Sequence, residues 1–208
     1  MLLWLNGPFG GGKTHVAAEI RYRLPGTWVA DPEAVGFGLH AMLPKGIRGD
    51  FQEMPTWRVG VIETLDFVLA KHDGLVIAPQ TLVHPAYFEE ILGSLRDRGH
   101  DVRHVTLMAR PETVRQRLRD RGLGRVLGRL GVDTLARESF AVERLEPYLE
   151  RLKEPQFAEH IWTDDARIGE VAEAVAATCG LTLEPIDEGA VRTAMRLAQT
   201  TVRHVRFI

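Results

Sequence analysis

The sequence predicts a three-layer α/β/α fold, a five-stranded parallel sheet with helices on both faces. Two observations predict it. Short runs of Leu, Val, Ile and Ala alternate with longer helical segments as far as residue 179. These runs are apolar throughout, as strands covered on both faces must be. A glycine-rich turn sits between the first strand and the first helix, at the ligand-binding edge of such sheets. With 208 residues and 45% hydrophobic content, the chain can bury one substantial core, so a single domain spanning 1–208 is expected.

Each element follows from its own signals. Leu2-Leu3-Trp4-Leu5 reads as a buried strand, and residues 16–24 as the helix after the turn. Residues 27–30 make a short second strand ending at Asp31-Pro32. A variable stretch with several glycines and prolines follows to about Pro55, and a helix then runs through Ala70. Residues 75–78 form the third strand, closed by Pro79. The segment 85–98 is a helix, with Pro85 in its first turn and Gly99 beyond its end. Residues 102–108 form the fourth strand, and Pro111 opens the next helix. The fifth strand is 161–163, and the helix 168–179 follows it.

The turn reads GPFGGGKT, residues 7–14, and matches the phosphate-binding P-loop, Gly-x-x-x-x-Gly-Lys-Thr, without a mismatch. Glycines let successive backbone N–H groups point inward as an anion nest, and the following helix aims its positive end at the same point. Gly7, Pro8, Phe9, Gly10, Gly11, Gly12, Lys13 and Thr14 are therefore the candidate nucleotide-binding residues. Lys13 would reach the β- and γ-phosphates of ATP, and the Thr14 hydroxyl would hold Mg²⁺.

Composition narrows the class. A net charge of −2 gives no general attraction to nucleic acid. No run approaches the ~18 consecutive apolar residues of a membrane span, and the first basic residue, Lys13, comes too late for a signal peptide. The lone cysteine, Cys179, suits a reducing cytoplasm. Asn6 is the only asparagine, so the guanine-reading Asn-Lys-x-Asp motif is excluded, and no Ser-Gly-Gly signature of transporter ATPases occurs. A small kinase remains.

The kinase reading nominates further residues. RPETVRQRLRDRGLGRVLGR, residues 110–129, holds seven arginines. Arg117 and Arg121 share one helix face, and the glycine-interrupted stretch after them reads as a lid near 117–133. Arginines delivered by a closing lid stabilise a transferring phosphoryl group, although a solvated arginine face explains the same pattern. Asp31 ends the second strand on the ligand edge, where it could orient or deprotonate an acceptor hydroxyl, or simply open an Asp-Pro turn. Phe37, Met54 and Trp57, with Arg58 and Thr81, read equally as an apolar acceptor pocket or as core packing. The third strand ends Ala78-Pro79-Gln80-Thr81, with no acid there to support magnesium.

Four blocks carry a resemblance: LLWLNGPFGGGKT, VADPEAVGFGLHAML, LVIAPQTLVHPAYFEEILGSLR and HVTLMARPETVRQRLRDR. In order and spacing they resemble the tunicamycin resistance proteins, a family similar to small nucleoside and antibiotic kinases. The resemblance implies that residues 7–14 bind ATP, that Asp31 is the base candidate, and that the ligand is a nucleoside antibiotic with a fatty acyl tail. It leaves open whether the drug is phosphorylated or held. Beyond these blocks, Val191, Met195, Ala198, Val202 and Val205 form an apolar stripe flanked by Arg192, Arg196 and Arg203. An amphipathic helix near 187–206 is expected from it, lying on the domain, on a second subunit as a homodimer contact, or on the inner face of an anionic membrane.

Overall fold

A computed structural model describes residues 1–120 and 139–185. The lid segment from 121 onward, including Arg121, and the C-terminal helix expected near 187–206 lie outside the described residues. Five parallel strands form one sheet in the order β2-β3-β1-β4-β5: β1 Leu2–Asn6, β2 Trp28–Val29, β3 Val76–Pro79, β4 Val102–Met108 and β5 His160–Trp162. The central strand β1 pairs with β3 from Leu2↔Val76 to Leu5↔Pro79 and with β4 from Leu2↔Val102 to Asn6↔Thr106. That register brings Asn6, Gln80 and the end of β4 to one edge. The phosphate loop leaves the sheet there, and the anticipated parallel three-layer architecture is what forms.

Two cores hold the layers. Leu3, Leu5, Ile77, Val105 and Leu107 face helices α1 (Lys13–Arg23) and α7 (Ile168–Thr178) through Val16, Ile20, Val171 and Val175. On the other face Leu2, Trp4, Val76 and Ala78 pack with α3 (Pro55–Leu69) and α4 (residues 85–97). Helices α5 (Pro111–Arg119) and α6 (Ser139–Leu152) complete that layer through Val114, Leu118 and Leu145.

Three local outcomes depart from the sequence expectation. Glu33–Met42, read as variable, is the helix α2. Its Gly36 and Gly38 argue against helix in isolation, but Gly36 is required by packing: a Cβ there would lie 2.5 Å from the Phe51 ring. The helix 85–97 contains a π segment, Glu89–Gly93, between α-helical turns. Helix α6 was not anticipated, since Pro147 stands inside it. Among the described residues no helix is long and apolar enough to cross a membrane.

His104 of β4 lies edge-on to Phe88 at 4.8 Å. Burial, then the positive charges of Arg96 and His160, push its imidazole down from 6.5 to about 3. A neutral folded His104 and a protonatable unfolded one make the native state lose stability as pH falls below about 6.5, the loss continuing to about 3. Between pH 7 and pH 4 this group alone should remove about 3 kcal/mol. Urea unfolding across that range should show the slope in the wild type, and His104→Phe should flatten it. An unchanged slope in the variant would assign the acid sensitivity elsewhere.

Candidate functional site

The phosphate loop is built by its own sequence and pinned by one side chain. Asn6 Oδ1 accepts the N–H groups of Gly7 at 2.8 Å and Leu82 at 2.9 Å, while its Nδ2 donates to Leu82 O at 2.8 Å. The loop's start is thus tied to the segment leaving β3. Gly7 has φ +143°, and a Cβ there would meet the Leu107 carbonyl oxygen at 2.7 Å, so only glycine fits. Gly12, at φ 93°, caps α1 without a side-chain bond, leaving the helix's first N–H groups directed at the loop.

Lys13 is the centre of this loop. Its Nζ donates to Gly7 O and Pro8 O, each at 3.0 Å, and to Thr81 Oγ1 at 2.7 Å, and the residue is 9% exposed. Thr81 Oγ1 in turn donates to Gly7 O at 2.8 Å. Thr81, read from sequence as pocket or core, is fully buried and forms part of the lysine's cradle. Phe9 stacks on Tyr148 of α6 with ring centroids 6.0 Å apart, closing one side of the loop.

Asp31 follows β2 on the same edge of the sheet. Its Oδ1 accepts Glu33 N–H at 3.0 Å, and Trp57 Nε1 donates to Pro32 O at 3.0 Å, so the turn that carries Asp31 is braced from α3. Of the two readings the sequence left open for Trp57, the structure shows core packing: the side chain is wholly buried, and it braces the Asp31 turn from behind. Phe37 and Met54 are half-buried; Phe37 meets Phe51 edge-on at 6.3 Å, and Met54 packs against the core.

Arg58 is also not an open ligand. Its Nε pairs with Glu90 Oε2 at 2.6 Å, its Nη1 donates to Gln52 O at 2.7 Å, and its guanidinium lies 4.2 Å from the Tyr87 ring centre. Gln52 then donates through Nε2 to Thr81 O at 2.9 Å. A continuous chain of contacts therefore runs from Arg58 through Gln52 and Thr81 to Lys13. Gln52 was not singled out from sequence, and no motif marks it.

At the opposite side, Arg117 donates to Thr163 Oγ1 at 2.9 Å and Thr163 O at 2.6 Å, fastening α5 to the end of β5. Burial lowers its guanidinium, and the charge of Asp164 works against that. Asp164 collects Arg110 N–H at 2.9 Å, Arg110 Nε at 3.2 Å and Thr113 Oγ1 at 2.5 Å. Burial works to raise the Asp164 carboxyl, yet these donors hold it below the ordinary carboxylate range. Two open clefts, of about 670 and 530 Å³, flank Asp164; neither is lined by a P-loop residue.

The loop's residues fit a nucleoside triphosphate. An uncapped helix N-terminus, inward-facing main chain and a buried lysine amount to a polyanion site. Thr14, the second residue of α1 and half-buried, stands where a hydroxyl could hold magnesium. Among the described residues no cluster of three His, Cys, Asp or Glu could hold a metal alone.

The AAA domain family model matches residues 2–155. The Deinococcus radiodurans tunicamycin resistance protein is 34% identical over 89% of this chain and 99% of that one, with a TM-score of 0.71. A gluconokinase from Sinorhizobium meliloti 1021 shares the fold at 16% identity and a TM-score of 0.57, over 97% of this chain and 95% of that one. So does the Mycobacterium tuberculosis APS kinase, at 16% identity and a TM-score of 0.52, over 86% of this chain and 96% of that one. No curated protein sequence matches. The phosphate loop, the strand order and these relatives agree: the chain belongs to the AAA-domain P-loop family, alongside the tunicamycin resistance proteins.

Proposed function

We propose that this protein is an ATP-dependent phosphotransferase, working in the cytoplasm, that modifies a hydroxyl of tunicamycin or a related nucleoside. The observation that carries the reading is the Lys13 cradle. A charged amine is held at the mouth of a glycine loop by two main-chain carbonyls and the Thr81 hydroxyl, ready to exchange them for phosphate oxygens. The loop amides and Lys13 bind ATP, whose magnesium neutralises the phosphates when bound, and Thr14 holds that metal. Asp31 accepts the proton of the attacking hydroxyl or orients it. Arg117, near the end of α5, and Arg121, beyond the described residues, are the cations this reading assigns to offset charge on the moving phosphoryl group. Phe37 and Met54 supply apolar surface to the acceptor.

A second reading is favoured by one observation. β3 ends in Pro79 and runs into Gln80 and Thr81, neutral residues where an acid would support magnesium. A protein that sequesters the drug, with ATP setting its shape, needs no such acid. Incubation of the pure protein with ATP, Mg²⁺ and tunicamycin separates the two. Phosphotransfer adds about 80 Da to the drug and releases ADP in equal amount, whereas sequestration leaves the drug's mass unchanged.

A further inference from the structure

The donors of Lys13 are all engaged within the protein. An ammonium group carries three N–H donors and no acceptor, and the three go to Gly7 O, Pro8 O and Thr81 Oγ1. Two of these acceptors are carbonyls of the loop itself. The third is a side chain 68 positions away, and at 2.7 Å against 3.0 Å it makes the shortest of the three bonds. A triphosphate entering the loop therefore has to displace one of these partners.

Thr81 cannot follow the amine out of the cradle. It is wholly buried, and its carbonyl accepts Gln52 Nε2 at 2.9 Å and Gln80 Nε2 at 3.2 Å. Gln52 is held in turn by Arg58, whose Nη1 donates to Gln52 O at 2.7 Å. The next residue, Leu82, is clipped by Asn6 at both its N–H and its carbonyl. The Thr81 hydroxyl also donates to Gly7 O at 2.8 Å, so it keeps a bond of its own when the lysine leaves. It is a fixed point on the frame of the loop, whereas the lysine stem is long and flexible and can swing away from it.

We infer that Thr81 sets the affinity of the phosphate loop for nucleotide: its hydroxyl competes with the β- and γ-phosphates for the Lys13 amine and yields it when they enter. The inference rests on the loop binding ATP, and not on transfer to the drug. A hydrogen bond to a charged group shifts an equilibrium by about tenfold to a hundredfold. The lower figure applies here, because Lys13 is 9% exposed and water can stand in for part of the lost bond.

Titration calorimetry on the full chain, with a non-hydrolysable ATP analogue and Mg²⁺, tests this. Thr81→Val keeps the shape and removes the hydroxyl, and it should bind the analogue about tenfold more tightly than the wild type. Thr81→Ser retains the hydroxyl and should bind it as the wild type does. Damage to the loop would weaken binding, so a gain separates this role from a merely structural one. Adenosine monophosphate is the control: it lacks the β- and γ-phosphates that Lys13 serves, so its affinity should be the same in Thr81→Val and the wild type. Where Thr81→Val melts well below the wild type because its methyl crowds Gly7 O, Thr81→Ala replaces it. Unchanged or weaker binding of the analogue by a folded variant overturns the inference. A gain of the same size in Thr81→Ser, or for the monophosphate, overturns it too. Should neither the wild type nor the variants bind the analogue, the nucleotide reading itself falls and takes the inference with it.

Discussion

Lys13→Ala should abolish the rise in melting temperature that ATP and Mg²⁺ give the wild type. At a ligand concentration ~100 times Kd that rise corresponds to about 2.7 kcal/mol, and it should vanish because the one buried cation of the loop is gone. A lysine that served only to bind phosphate would leave the melt of the ligand-free protein unchanged. The structure changes that expectation. Lys13 Nζ bonds Gly7 O, Pro8 O and Thr81 Oγ1, and its removal strands oxygens that the loop's burial partly hides from water. The ligand-free variant should therefore lose about 1–3 kcal/mol as well. Thermal melts with and without ATP separate the two effects, and an ATP shift equal to the wild type's would remove Lys13 from phosphate binding.

That revision shows which parts of the site are legible in a sequence. GPFGGGKT is contiguous, and its chemistry lies in backbone geometry that glycine spacing dictates, so the loop could be read directly. The sheet was legible for a similar reason: strands buried on both faces leave uninterrupted apolar runs. What could not be read depends on pairs far apart in the chain. Lys13 and Thr81 are 68 positions apart, and Arg58 and Glu90 are 32 apart. Neither residue type announces its partner, so the sequence left Arg58 open between pocket and core, and the fold shows it paired with Glu90. Trp57 was open between a pocket wall and the core, and only the fold reveals that it is buried with its N–H on Pro32 O. Helix α2 was hidden because Gly36 lowers its intrinsic propensity while providing the space that Phe51 fills.

The other large effect is expected at Asp31. Asp31→Asn should reduce phosphoryl transfer to the drug by about 10²–10⁴, the scale of general acid–base assistance. The substitution is close to isosteric, and Asn retains an oxygen to accept Glu33 N–H, so the turn braced by Trp57 should keep its shape. ATP affinity should change little, because the triphosphate is held by the loop amides and Lys13. The two readings of function then part. If Asp31 handles the acceptor's proton, the variant keeps its ATP-induced stabilisation and loses turnover, and cells expressing it lose resistance to the drug. If the protein only holds the drug, resistance survives Asp31→Asn and still disappears with Lys13→Ala. Because β3 ends in neutral residues, Asp31 is also a candidate to share the metal's water shell. Titrating Mg²⁺ against ATP affinity in the variant tests that second role: a weakened metal dependence places Asp31 with the metal, and an unchanged one confines it to the acceptor. Full transfer activity in a folded Asp31→Asn protein would remove Asp31 from the chemistry.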